Sequence, residues 1–397
     1  MLQMRRCSMN FNKNNISMYL YAGTMVFSIA AQIQEIQSIA RVGMYAMWAV
    51  LFLHMLFVRK LKIEFGATGK FMIGGFVALF IFCLLMGLIQ NTHLDSSYLA
   101  ALPIPILVYF TAYNLKTQLG RKHICFLCRL YVACAVTLGC ILVVLYIPSY
   151  QSWLSANTYI VGQKNSASQI MISALLIAWF FIHEETSPRR MAYWISGMFF
   201  CVVTALFQSR AALLGLLTAL LAYIFIYSKH KLRISVIVIA LAAIAFSNDD
   251  ISYFVQQSIG QNKYDMTDIN SFSAGRIDNY TLAWRNFQNH PIVGTGSYKV
   301  DDLYICLLAE LGIIGFVCIM PLWFQRIGTA IRFLKDKDDS LKNVIVLLTI
   351  FYMVESIFER LPPFGPGVCS FFFWTLCGFA DAEEEKLHVQ SRRIICD

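Results

Sequence analysis

Residues 271–315 read SFSAGRIDNYTLAWRNFQNHPIVGTGSYKVDDLYICLLAELGIIG, and the character of the chain changes inside this stretch. Up to Asp302 it is polar and rich in turn-forming residues. From Leu303 it becomes an apolar run of the length that spans a bilayer, about 20 residues. Most of the chain's polar chemistry lies in this stretch. Elsewhere, apolar runs are joined by short basic links, so the fold is decided by how one long hydrophilic segment feeds a membrane helix.

The composition agrees. The chain of 397 residues is 58% hydrophobic and only 14% charged, with a mean hydropathy of +0.60, whereas soluble domains carry about a quarter charged residues. Its 31 Phe, 19 Tyr and 7 Trp suit lipid-facing helices and interfacial belts. The period of two that a membrane barrel needs is not seen. The expected fold is an all-α, polytopic membrane bundle of about twelve helices, forming a single integral membrane domain over 1–397. The spans are expected at 16–33, 38–58, 70–90, 98–116, 124–147, 167–183, 191–208, 211–227, 232–247, 302–325, 342–358 and 366–380. One long external loop, 248–301, separates the ninth from the tenth, and 381–397 is a cytoplasmic tail. The opening MLQMRRCSMNFNKNN is polar and basic with no small-residue cleavage site after the first apolar run, so that span is expected to be retained.

Charge gives an independent reading. With the N-terminus inside, 23 of the 32 Lys and Arg fall in inside segments and 7 outside, Arg41 and Arg129 lying within spans. The positive-inside rule then places both termini in the cytoplasm and the long loop outside. The net charge of +9 reflects this bias and implies no nucleic-acid partner. Most of the 12 cysteines lie in apolar runs as small hydrophobes. The CxxC at Cys125 and Cys128 opens an apolar helix and lacks a second ligand pair, so neither a metal nor a cofactor is expected.

The outer cations are therefore informative. Arg210, in FQSRAALLGLLTAL, sits in a hairpin so tight that its guanidinium lies at the mouth of the bundle; it either snorkels to headgroups or binds a ligand. Lys164, Arg276, Arg285 and Arg360 share that side. In RIDNYTLAWRNFQNH the apolar residues Ile277, Tyr280, Leu282, Ala283, Trp284 and Phe287 recur at helical spacing, which predicts an amphipathic helix against the bundle with Arg285 either in the site or facing water.

Four segments in order, GQKNSASQ, SRAALLGLL, GRIDNYTLAWRNFQNHPIVGTGSY and DDLYICLLAELGIIGF, together resemble the O-antigen ligase and polysaccharide polymerase superfamily over roughly residues 160–326. In the ligase branch the helix after the loop opens with His-Asn; here those positions are Asp301 and Asp302, which is more similar to the polymerases. His290, in the HPIVGTG turn, is not an evident replacement. The resemblance implies transfer of a glycan from undecaprenyl pyrophosphate to a lipid-linked repeat, without a metal and with inversion, on the outer face of a bacterial inner or plasma membrane. It implies membrane lipids, a flippase and chain-length regulators as partners.

That chemistry suits the residues. Arginine grips phosphate oxygens bidentately and stays protonated, so Arg210 and Arg276 are expected to hold the pyrophosphate, with Lys164, Arg285 and Arg360 as secondary candidates. The Gly275-Arg276 junction offers both a side chain and helix N-terminal N–H groups to an anion. Asp301 and Asp302 are the candidate catalytic groups that receive or orient the acceptor hydroxyl, though acidic residues at a helix start also serve as caps. Glu310 and Glu355 lie within spans, where ionisable groups are functional candidates by default; Glu310 is read as structural, and Glu355, four residues before Glu359, as a supporting site residue. Gly294 and Gly296 form either a tight turn or a surface for sugar approach. Pro103 and Pro105 are expected to bend or interrupt the fourth span. The alternatives are an O-antigen ligase acting on lipid A core, or a flippase or other secondary transporter. No similarity between the two halves, such as transporters often show, is evident.

Overall fold

The computed structural model describes residues 16–58, 64–90, 97–116, 120–146, 164–184, 187–228, 267–273, 275–296, 298–364 and 368–396, with isolated residues between 231 and 256. Among these there is no strand. The helices are α1 (Ile16–Ala30), α2 (Gln37–Leu53), α3 (Ala67–Gln90), α4 (Ser97–Ala101), α5 (Pro103–Leu115), α6 (Arg121–Tyr146), α7 (Lys164–Glu184), α8 (Ser187–Leu206), α9 (Arg210–Tyr227), α10 (Ile269–Phe272), α11 (Arg276–Asn289), α12 (Leu303–Phe333), α13 (Ser340–Phe358) and α14 (Val368–Cys396).

Six helical segments among the described residues are long and apolar enough to cross a membrane: Gln34–Phe57, Ala67–Leu88, Arg121–Leu145, Arg210–Tyr227, Leu303–Phe333 and Ser340–Phe358. The expected span at 98–116 is interrupted, because α5 starts afresh with Pro103 at its N-terminal turn, where a missing N–H costs nothing. Much of the expected span at 232–247, and much of the loop that follows it, lies outside the described residues. The tenth span runs on to Phe333, and α14 continues as helix through the expected tail.

The decisive local feature is a break in α12. Gly312 has φ 64° and ψ −166°, a conformation open only to glycine, and the break removes helical partners from carbonyls before it and N–H groups after it. The HPIVGTG turn supplies them. Thr295 N–H donates to the Ala309 carbonyl at 3.0 Å and Gly296 N–H to Glu310 at 2.8 Å, while the N–H of Ile313 donates to Pro291 at 2.9 Å and that of Ile314 to Ile292 at 3.3 Å. Both glycines of the contact are sterically required. A Cβ on Gly294 would lie 2.4 Å from the Glu310 carbonyl oxygen, and one on Gly312 2.4 Å from that of Ile292. The sequence alternatives for PIVGTG thus resolve as a turn docked into a broken helix.

This clasp lays α11 along the first segment of α12. Ala283 is fully buried there, and Tyr280 and Phe287 are half-buried. Ile277, Leu282 and Trp284 stay 40%, 50% and 46% exposed, so the packed face is narrower than the apolar spacing predicts. Elsewhere α1 packs on α2, α7 on α8, α3 on α12, α5 on α14 and α9 on α13. Gly215 lets α9 close on α13, since a Cβ there would meet the Phe351 ring at 2.7 Å.

The end of the bundle away from the start of α12 is held by charge. Arg326, 3% exposed at its side chain, pairs with Asp381 at 3.0 Å. The same carboxylate accepts from the hydroxyls of Thr68 and Tyr109, each at 2.7 Å. Glu383 pairs with Lys116 at 3.0 Å, and Tyr113 donates to Glu385. The acidic residues of 381–385 thus neutralise cations and accept from hydroxyls on neighbouring helices.

Two outcomes follow. Gly294→Ala and Gly312→Ala are each expected to cost more than ~2 kcal/mol through strain and backbone collision, read as a lowered Tm of the detergent-solubilised protein. Gly328→Ala, with open space around its Cβ, is expected to be neutral; equal Tm values for all three would refute the clasp. Asp381→Asn leaves the Arg326 charge buried without its partner, and is expected to destabilise by about 3–5 kcal/mol in the same measurement.

Candidate functional site

The starts of α7, α9, α11 and α12 and the end of α13 carry one connected group of side chains. A cavity of about 530 Å³ opens there, walled by Leu213, Leu214, Leu217, Ile277 and Phe358 and bearing Arg210, Arg276 and Tyr280. Arg210 and Arg276, the two expected phosphate ligands, thus line one cavity. The hairpin that delivers Arg210 is only Phe207–Ser209, with Gln208 in the left-handed region at φ 52°, and the buried Ser209 hydroxyl anchors it by donating to Asn165 Oδ1 at 3.1 Å.

Arg276 is the first residue of α11, behind Gly275 at φ 76°. Its Nη2 lies 3.6 Å from Glu359 Oε1 and 3.9 Å from Asp301 Oδ2, and its guanidinium carbon stands 5.8 Å from the centre of the Phe358 ring. Tyr280, one turn on, donates to the Asp301 carbonyl at 2.8 Å and the Ile357 carbonyl at 2.9 Å, tying α11 to the mouths of α12 and α13. The expected N–H cradle at this helix start is taken up internally: Arg276 N–H goes to the Ser273 carbonyl, Ile277 N–H to the Ser273 hydroxyl and Asp278 N–H to Asn270 Oδ1. The side chain of Arg276, not its backbone, faces the cavity.

The two aspartates differ. Asp301 is 60% exposed beside Arg276. Asp302 is 4% exposed and caps α12, its Oδ1 accepting from Ile305 N–H at 2.6 Å. Burial pushes the Asp302 carboxyl up to about 6, against the pull of the Ile305 and Tyr304 N–H groups.

Beneath Arg276 runs a feature that the sequence did not disclose. Asn165 donates to Glu359 and Gln169 to Glu355 at 2.9 Å, and the Ser173 and Tyr352 hydroxyls meet at 3.4 Å. Residues 165, 169 and 173 on α7 thus face Glu359, just past the end of α13, and 355 and 352 on α13, an antiparallel polar ladder inside an apolar bundle. Glu355 is fully buried, and its Oε1 has no hydrogen-bond partner among the described residues. Burial first, then the Asp301 charge, pushes Glu359 up to about 7, with Arg276, Asn165 and Arg360 pulling the other way. The signal was the four-residue spacing of Asn165 and Gln169, matching that of Glu355 and Glu359 on another apolar helix.

The remaining candidates divide. Lys164 heads α7 next to Asn165, half-buried. Arg360 closes the group, its charge acting on Glu359 and its carbonyl accepting from Tyr98 at 3.1 Å. Arg285 is exposed, nine residues along α11 from Arg276 and so about 13 Å away along its axis. His290 is exposed at the end of α11 and belongs to the clasp. Glu310 is fully buried, accepting from the Cys306 thiol at 3.7 Å beside the break. The structure brings Arg210, Arg276, Asp301, Glu355 and Arg360 together and leaves Arg285 and His290 aside.

Residues 195–320 match the family model described as O-antigen ligase. The matched segment is about one third of the chain and holds Arg210, Arg276 and both aspartates, but ends before Glu355 and Glu359. It supports the O-antigen ligase and polymerase superfamily and, in general, glycosyltransferase-type chemistry in a multi-pass membrane protein. No curated protein matches the chain.

The burial of the Asp302 carboxyl has a pH signature. Its folded pKa lies above the usual carboxylate value of about 3.9, so its contribution to stability is fully present below pH ~4 and is lost as pH rises through about 6. Asn also caps helices well and carries no charge. The Tm of Asp302→Asn is therefore expected to exceed that of the wild type above pH 6, the gap closing below pH 4. A gap that does not change with pH would show that burial does not raise this carboxyl.

Proposed function

We propose that this chain, whose residues 195–320 match the O-antigen ligase model, is a polysaccharide polymerase of the bacterial inner or plasma membrane. It transfers a growing glycan from undecaprenyl pyrophosphate to a lipid-linked repeat on the outer face. One observation carries the reading: two arginines line a single cavity whose walls are otherwise largely apolar. Apolar walls accommodate a lipid tail, and a pair of permanently charged planar donors matches a pyrophosphate. In a water-poor pocket the same charges stabilise the leaving phosphate oxygen as it gains charge.

Donor glycan and carrier phosphate occupy the cavity side of Arg276, and the acceptor hydroxyl is oriented on its carboxylate side, where Asp301 lies. Attack at the anomeric carbon opposite the phosphate inverts its configuration and needs no metal. The polymerase is preferred to the ligase because Asp301 and Asp302 stand where the ligase branch opens its helix with His-Asn; the family description itself favours the ligase as second reading. About twelve spans, with both termini cytoplasmic and the 248–301 loop outside, complete the proposed topology, and membrane lipids, a flippase and chain-length regulators are proposed partners.

Purified protein given lipid-linked repeats in EDTA is expected to yield a ladder of longer chains. Arg210→Ala and Arg276→Ala should each reduce it by more than ~100-fold, the scale of losing one preorganised donor. A ladder unchanged in both variants defeats the site assignment. A deletion that leaves single-repeat glycans on the surface marks a polymerase, whereas long chains stranded on the carrier mark a ligase.

A further inference from the structure

Glu359 occupies a position that neither the sequence nor the matched family segment assigns. Its Oε1 lies 3.6 Å from Arg276 Nη2, its side chain is 20% exposed, and Asn165, itself held by Ser209, donates to it. One turn inward, Glu355 is fully buried with Oε2 on Gln169 and Oε1 without a hydrogen-bond partner among the described residues. Two carboxylates in sequence, one at the mouth and one sealed behind it, do not neutralise each other. Two amide side chains orient them at a cost in desolvation that packing alone does not repay.

We propose that Glu359 is the general base of glycan transfer. This rests on the glycan-transfer reading of the Arg210–Arg276 cavity. The acceptor oxygen forms its bond to the anomeric carbon as the bond from that carbon to the carrier phosphate breaks, the electron pair leaving on the phosphate oxygen. The acceptor proton passes to the Glu359 carboxylate and from there to water.

Two observations favour Glu359 over its neighbours. Asp302 is committed to the cap of α12. Asp301 is 60% exposed, so water screens its interactions with an acceptor. Both carboxylates near Arg276 approach the same nitrogen, Nη2, while Arg276 also lines the cavity. Arg276 thus borders both the cavity and the Glu359 carboxylate, which places that carboxylate next to the group expected to hold the leaving phosphate. The groups facing Glu359 are Arg276 and Tyr280 from α11, Asn165 from α7, Asp301 before α12, and Glu355 and Arg360 along its own chain. Their balance leaves its carboxyl near 7, where a general base combines availability with proton affinity.

The test uses the full-length protein in nanodiscs with lipid-linked repeats. Glu359→Gln keeps the size and an acceptor for Asn165 but cannot take the proton. It is expected to lose about 100-fold or more in kcat, while its Kd for undecaprenyl pyrophosphate stays within about threefold of wild type, which also shows that it is folded. Glu359→Asp should restore part of the rate. Wild-type kcat/KM should fall as pH drops through about 7, and this dependence should vanish in Glu359→Gln. Turnover of Glu359→Gln within threefold of wild type, or a pH dependence that follows Asp301→Asn instead, overturns the proposal while leaving glycan transfer standing. Wild-type protein that transfers no glycan overturns both.

Discussion

The structure depends on the backbone hydrogen bonds that repair α12 at Gly312. In a membrane-embedded bundle a broken helix survives only where protein or water satisfies the freed peptide groups. Here a single turn does so from both sides, receiving at Pro291 and Ile292 and donating from Thr295 and Gly296. The repair also fixes the end of α11. A helix of 14 residues is about 21 Å long, so anchoring its last turn beside the break sets where its first residue, Arg276, arrives. Tyr280 supplies the second tether through two carbonyls. The position of the site cation is thus a consequence of a helix length and two fixed points.

That arrangement explains which parts of the chain were legible in its sequence. Composition and hydropathy give the helical membrane class because burial in lipid demands it residue by residue. Arg210 stood out because a charge at the start of an apolar run is conspicuous against its neighbours, and Arg276 through its place in the segment that carries the family resemblance. Asp302 was legible only as two alternatives, cap or catalyst, because both roles favour an acid at a helix start. Asn165, Gln169 and Glu359 were not assembled: their meaning lies in the register between α7 and α13, which joins residues about 190 apart. The narrow packed face of α11 was overestimated for a similar reason, since periodicity reports which side is apolar but not how much of it another helix covers.

The ladder between α7 and α13 also ties the candidate site to the fold. Asn165 serves both Ser209, at the Arg210 hairpin, and Glu359, next to Arg276, so one amide links the two cation-bearing elements. A change in the spacing of α7 and α13 would move both arginines relative to each other. Buried amide–carboxylate contacts are directional and tolerate little displacement, which suits them to hold a cavity whose walls are otherwise non-directional apolar contacts.

The same residue types appear at the other end of the bundle in a different state, and the contrast separates structural charge from chemical charge. Arg326 is buried, paired with Asp381 at 3.0 Å and further bonded through Nη2 to Thr68 and Thr329. Such a closed pair has no incentive to exchange partners, because any replacement would forfeit well-formed charge-assisted bonds. Arg276 stands 3.6 and 3.9 Å from its two carboxylates, beyond the 2.7–2.9 Å of such a bond, with an aromatic face on one side and a cavity on another. A polyanion entering that cavity would meet a cation whose existing contacts are weak enough to be supplemented without first being broken. Pairing is therefore loose beside the cavity and tight at the far end, where it holds the helices.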